Sequence, residues 1–344
     1  MVFLHWDKDG LFFQGDSPRH AMNGIFWGDL IREGLTNPIE YTKSYYARYP
    51  AITPTRYLPV FYFFEAIAFE LFGQSAFVAK GLVQCFAFVA GLYLLAAMRR
   101  WISLESGIFA GLLFLTPGML RWSNAVMLNV PALTFATASL YHFRDAIDAT
   151  DQGECTNQIR RSLLFWFLAI GTHPLIGVVV LVGLAWLTAA GKLSFLIKKP
   201  MVFFIVGSLL ALMGLIVCIA FISGEQVAQA RVNIYSFISP YKLLYYPTAL
   251  PGILGWMYLI LGAGGIFLSL STGKLRPDAI KIVIAAFIIY LALTPIWALD
   301  SRYILVACPA IVYSIGMGFD CIATNFAMRI RPQMQRSITI LGFT

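Results

Sequence analysis

The chain has 344 residues, 59% of them hydrophobic and only 12% charged, with a mean hydropathy of +0.74. A soluble domain carries about 25% charged residues. A chain this apolar cannot cover its surface with polar groups, so it reads as an all-α polytopic membrane protein. Its formal charge of +8 does not argue for a nucleic-acid partner, because short loops on one side of the membrane hold most of the cations.

In chain order, Met1 to Gly15 (MVFLHWDKDGLFFQG) lacks the continuous apolar core of a signal peptide. Gly15 to Gly73 is the only long stretch that mixes polar, charged and aromatic side chains. Within it, 58–73 is shorter than the about 20 residues a span needs. Glu65 and Glu70 interrupt it, which predicts an interfacial amphipathic helix.

Apolar spans are predicted over 76–98, 105–120, 125–143, 162–190, 201–223, 251–271, 281–299 and 303–322. The run 162–190 holds Gly171-Thr172-His173-Pro174 at its middle and can cross once or fold back. Folding back puts the loops after 98, 143, 190, 271 and 322 on one side, where they collect 14 of the 25 basic residues. A single crossing moves Lys198 and Lys199 to the other side. The positive-inside rule selects the fold-back. Nine crossings follow, making 76–322 the transmembrane domain. Residues 1–75 form an outer-face loop, 224–250 a second outer loop, and 323–344 a basic cytoplasmic tail. Because the first 75 residues must then be exported, the expectation is that an N-terminal helix is missing from the chain.

The five cysteines (85, 155, 218, 308 and 321) show no paired spacing and read as small core residues. Of the 17 carboxylates, ten fall on the outer side, seven on the inner side and none mid-span. Ion-coupled transporters place ionisable groups at membrane depth. Their absence favours chemistry at the outer face, where Asp16, Arg56 and Arg302 can meet.

Asp16 follows Gly15 at a turn. A carboxylate there can act as general base on an acceptor hydroxyl or amine. The competing readings are a solvated loop acid, or an N-cap of the helix that starts near Pro18. Arg19 and His20, one turn on, are candidates for phosphate binding or proton-transfer assistance, against plain surface residues. Tyr45, Tyr46, Arg48, Tyr49, Arg56 and Tyr57 mix bidentate phosphate donors with stacking faces for a sugar. An interfacial aromatic belt looks much the same. Arg302, in Asp300-Ser301-Arg302-Tyr303, either holds a lipid-linked phosphate or snorkels to the interface. Lys242 is a second, weaker phosphate candidate. Asn129 serves the backbone near Pro131 or the site. His173-Pro174 reads as a broken-helix turn rather than a ligand pair. No metal spacing, P-loop, dinucleotide fingerprint or nucleophile elbow appears, and nothing calls for a metal or other cofactor.

These residues have an order: an outer-loop Asp, a Tyr/Arg/Pro stretch, an aromatic helix ending Leu71-Phe72-Gly73, then Val126-Met127-Leu128-Asn129-Val130-Pro131-Ala132-Leu133, then Arg302-Tyr303 and Pro309 in a late span. The set resembles the GT-C superfamily, in particular the family 39 branch that holds protein O-mannosyltransferases and aminoarabinose transferases. The resemblance is strongest over 15–143 and rests on hydropathy beyond it. It implies a GT-C-like transmembrane helix bundle with outer-face loops carrying short interfacial helices. It implies inverting transfer from a polyprenyl-phosphate sugar to an acceptor at the outer (periplasmic or lumenal) face, with Asp16 as base. Arg302 with Tyr303, aided by Arg56 or Lys242, would hold the phosphate, and Tyr45 and Tyr46 would line the sugar. Two positions depart from the family pattern: Val60 replaces a proline, and Asn129 replaces an acid. The family pattern also places a membrane helix before this loop, which is the helix expected to be missing. A lipid, protein or glycan acceptor stays open, membrane lipids are implied partners, and a bacterial inner membrane is the expected location. The alternatives are a transporter or flippase, and a degenerate lipid-sugar-binding protein that transfers nothing.

Overall fold

The computed structural model describes residues 16–52, 58–192, 240–272, 275–294 and 300–341, and among them every regular element is helical. Helix α1 (Ser17–Asp29) starts with proline in its first turn, where the missing N–H costs nothing, and relaxes into a wider π-turn over Leu30–Gly34. Helix α2 (Pro38–Arg48) is capped by the Asn37 side chain, which accepts from the Glu40 amide at 3.4 Å. Helix α3 (Val60–Phe72) ends at Gly73, whose φ of +86° only glycine adopts without strain.

Helix α4 (Ala76–Trp101) opens on a Ser75 cap and closes on Arg99 and Arg100, which complement the helix dipole. Its 26 residues reach about 39 Å, enough to cross a bilayer core of about 30 Å. The chain then forms a 3₁₀ segment (Ser106–Leu115), a short α5 (Pro117–Trp122), and α6 (Asn129–Asp148). Helix α7 (Gln152–Thr172), capped by Asp151, runs back along α6. Ser139 and Ser162 join the pair, each hydroxyl donating to the other residue's carbonyl at 3.0 and 2.8 Å. Small hydroxyl residues are suited to close helix contact inside a membrane.

After α7 the chain turns at His173, makes a 3₁₀ turn (Pro174–Val178), and returns as α8 (Val179–Ala189). Leu187 packs with Phe143 and Cys155, and Lys192 donates to the Ala149 carbonyl at 2.9 Å, so the run 162–190 folds back on itself. Helices α9 (Pro240–Leu254) and α10 (Trp256–Thr272) meet at 105° around Gly255, whose φ is +85°. Helix α11 (Arg276–Leu293) follows. A last 3₁₀ turn (Ser301–Val306) then feeds α12 (Ala307–Leu341).

Ala76–Trp101 and Ser301–Asn325 are long and apolar enough to cross a membrane, as is the bent α9–α10 pair taken together. The protein is an all-α polytopic membrane protein. Several details differ from the sequence expectation. The span 105–120 is broken at Thr116 between 3₁₀ and α-helix; at about 2.0 Å per residue the tighter helix covers depth with fewer residues. The described part of the loop 224–250 is the start of α9, and the tail after 322 continues α12 to Leu341. Glu65 does not interrupt α3 on a wet face: it is fully buried against α1. The span 201–223 lies outside the described residues.

Candidate active site

Four pieces of chain converge at one end of the bundle: the start of α1, the turn at His173, the buried loop 123–128, and the 3₁₀ turn that follows Asp300. Asp16 stands in the N-cap position of α1, yet its carboxylate caps nothing. It reaches outward instead. Asp16 Oδ1 lies 3.3 Å from Arg19 Nη1, and Oδ2 lies 3.8 Å from Arg302 Nη1. Of the two local readings, the cap is therefore not what the side chain does.

Arg302 is held from several sides. Asp300 Oδ2 sits 2.7 Å from its Nε, and Asp300 Oδ1 accepts from the Arg302 amide at 3.0 Å. Trp122 offers its ring to the guanidinium carbon at 5.9 Å, and Met127 Sδ is 4.0 Å from Nη1. The side chain is 19% exposed, so it is packed in place at the bundle end rather than extended to the interface.

His20 lies beneath Asp16. Its Nδ1 shares a 2.8 Å hydrogen bond with the Tyr62 hydroxyl of α3. Burial pushes its pKa down to about 3; Asp16 opposes this, while His173, Arg302 and Arg19 add to it. His173 is buried in the turn after α7 with its ring 5.7 Å from that of Tyr303. Burial, then the Arg302 charge, pushes its pKa down to about 4. Both imidazoles are neutral at physiological pH. They can give or take a hydrogen bond but bring no charge to an anion.

The other sequence candidates fall elsewhere. Tyr45 donates to Asp29 Oδ2 at 3.1 Å and packs between Tyr41 and Tyr49. Asp29 ends α1, about 20 Å from Asp16 along the helix. Tyr46 is exposed, and Arg48 lies over the Tyr49 ring at 5.4 Å. The structure thus does not bring Tyr45, Tyr46 or Arg48 to Asp16. Lys242 is half-buried in the first turn of α9, one turn before buried Tyr246. Arg56 lies outside the described residues. Asn129 is buried at the start of α6, and its Nδ2 has no partner among the described residues.

The sequence matches no protein-family model and no curated protein. Two solved structures match it: ArnT from Cupriavidus metallidurans bound to undecaprenyl phosphate, with a TM-score of 0.64 at 16% identity, and the same protein in the apo state, with 0.60 at 18%. The chain has the fold of ArnT. Each match covers 90% of this chain and 56% of ArnT, so the chain spans little more than half of its neighbour's length. The shared fold is an all-α membrane helix bundle, the class that composition and hydropathy predict.

Sequence reading missed Tyr62, Trp122, Met127 and His173 as members of the ArnT-like bundle end, and gave Asp300 no role of its own. A signal existed for two of them. An Asp two residues before an Arg is an Asx-turn pattern, and His173-Pro174 marks a helix break inside an apolar run. Nothing local in the sequence distinguishes Tyr62, Trp122 or Met127 from core residues.

Proposed function

We propose that this chain is an integral membrane glycosyltransferase. It moves a sugar from a polyprenyl-phosphate donor to an acceptor hydroxyl or amine, with inversion at the anomeric carbon. The observation that carries the reading is the pairing of Asp16 with Arg302 at one end of an ArnT-like bundle. The solved neighbour was captured with undecaprenyl phosphate, a ligand of the proposed class.

In this reading the end with α1–α3 faces the outside of a bacterial inner membrane. Arg99, Arg100, Arg144 and Lys192 then lie at the cytoplasmic side, as positive-inside bias requires. The donor enters from the bilayer and Arg302 holds its phosphate, with Lys242 as second cation. The acceptor oxygen or nitrogen attacks the anomeric carbon opposite the phosphate. The bond from that carbon to the phosphate oxygen breaks, and its electron pair leaves with the phosphate. Asp16 takes the acceptor's proton. Arg302 stabilises the charge that grows on the leaving phosphate, while His20 and Tyr62 keep the start of α1 in place.

The test is a vesicle assay with radiolabelled polyprenyl-phosphate sugars, supplied one at a time, beside Asp16→Asn and Arg302→Gln. Donor loss with Asp16-dependent label in a new product is the expected result. Sugar uptake without a new glycosidic bond would replace the reading by transport. Donor binding with no consumption would leave a lipid-sugar-binding protein.

A further inference from the structure

Four charged side chains stand in an alternating row at the bundle end: Arg19, Asp16, Arg302 and Asp300. Every cation in the row already has an anion beside it. A phosphate that comes to Arg302 must therefore exchange with a carboxylate, and the two carboxylates differ. Asp300 holds Arg302 Nε at 2.7 Å and also accepts from the Arg302 amide, so it is built into the turn. Asp16 Oδ2 touches Nη1 only at 3.8 Å, and both side chains retain access to solvent. An ion pair this long and partly wet is weak. A phosphate can make shorter, charge-assisted bonds to the same guanidinium edge.

We infer that Asp16 is the gate of the donor site: the donor phosphate displaces Asp16 Oδ2 from Arg302 Nη1, and this exchange frees Oδ2 to act as base. The inference rests on the functional reading above and adds a regulation to it. Asp300, Trp122 and Met127 keep the guanidinium in place during the exchange. Arg19 keeps Oδ1, so the carboxylate turns but stays at the site. Only the oxygen next to the bound phosphate, and so next to the anomeric carbon, is released. Donor binding precedes base activation, and the acceptor is deprotonated only when a donor is present.

The consequence runs opposite to that of an ordinary binding residue. Removing the Asp16 charge must strengthen phosphate binding while it abolishes transfer. Sugar-free undecaprenyl phosphate is titrated into the full chain in lipid nanodiscs, as wild type, Asp16→Asn, Asp16→Ser and Arg302→Gln. Both Asp16 variants are expected to bind about two- to fivefold tighter, since one pair of this kind is worth up to roughly 1 kcal/mol, and Arg302→Gln to lose binding. If wild type binds through Arg302 but neither Asp16 variant gains affinity, the gate is overturned and the transferase reading stands. If neither wild type nor the Asp16 variants bind, the donor site itself is absent and both readings fall together.

Discussion

His20 of α1 and Tyr62 of α3 share a 2.8 Å hydrogen bond across a buried interface, directly behind Asp16. The bond ties the first helix to the third at the level of the candidate base. Removing the hydroxyl deletes that buried hydrogen bond, which costs about 1 kcal/mol. Tyr62→Phe is expected to lower the melting temperature in detergent and to reduce kcat more than KM, because it loosens the base rather than the donor site. Burial keeps His20 neutral, at about 3, so the variant should not change the shape of the pH–rate profile between 5 and 8. A new inflection there would contradict a neutral His20.

How much of this arrangement was legible in the sequence depends on the residue. Asp16 and Arg302 stand at the ends of apolar runs on the side that lacks basic loops, and membrane depth is a coordinate that hydropathy reports. Their approach could therefore be anticipated across most of the chain. Glu65 could not be placed the same way. An acid inside an apolar helix reads as an interruption, and only the facing glycine of α1 explains why it goes inside. Tyr45 shows the converse failure. Aromatic and arginine side chains look alike whether they await a sugar or pack on Asp29, and nothing local separates the two. The 105° bend at Gly255 was also hidden, because glycine is common in membrane helices and only its φ marks the turn.

Gly265 of α10 and Gly318 of α12 lie face to face where the two helices pack. A methyl group at Gly265 would run into the Ser314 carbonyl oxygen and stand 2.8 Å from its carbon; one at Gly318 would stand 2.7 Å from the Gly265 Cα. The obstacles are backbone atoms, so no rotamer change relieves them. Gly265→Ala is expected to destabilise the protein by about 1–3 kcal/mol, as overpacking does. Gly264→Ala is the control: nothing lies within 4 Å of its added methyl group. Equal melting temperatures for the two variants would show that the crossing has room for a methyl group.

At the opposite end of the bundle, Asp278 of α11 pairs with Arg144 of α6 and, at 3.5 Å, with Lys281. The carboxylate is 9% exposed, so it joins two helices through charges held largely out of water. Losing it leaves the Arg144 guanidinium with Asp148, at 3.2 Å, as its remaining anion among the described residues. Asp278→Asn should cost about 3 kcal/mol. Replacing both partners, as Arg144→Met with Asp278→Leu, should recover part of that loss, because the two most buried charges go together and only the more exposed Lys281 and Asp148 lose a partner. Graded unfolding in SDS, followed by tryptophan fluorescence, measures both. A double variant no better than Asp278→Asn would mean that the pair is needed for more than mutual neutralisation.

Glu65 carries the clearest pH dependence. It is fully buried in α3, both carboxyl oxygens lack a hydrogen-bond partner among the described residues, and Gly24 of α1 makes room for it. Burial raises its pKa well above 4.5, and no charged neighbour contributes to the shift. The folded protein therefore keeps a proton that the unfolded chain releases above 4.5. The sign follows from linkage. The group destabilises nothing below that value, and the fold loses stability as pH rises from it towards the raised pKa, at about 1.4 kcal/mol per pH unit. Glu65→Gln removes the titrating proton and keeps the shape. Its melting temperature should exceed that of wild type at pH 8, with the gap closing as pH falls towards 5. A constant gap across that range would mean that Glu65 is not the group that titrates. Gly24→Ala tests the same joint by packing. A methyl group there would stand 2.7 Å from Glu65 Cδ, and the carboxyl is fully buried. That variant should be destabilised at every pH, by about 1–3 kcal/mol.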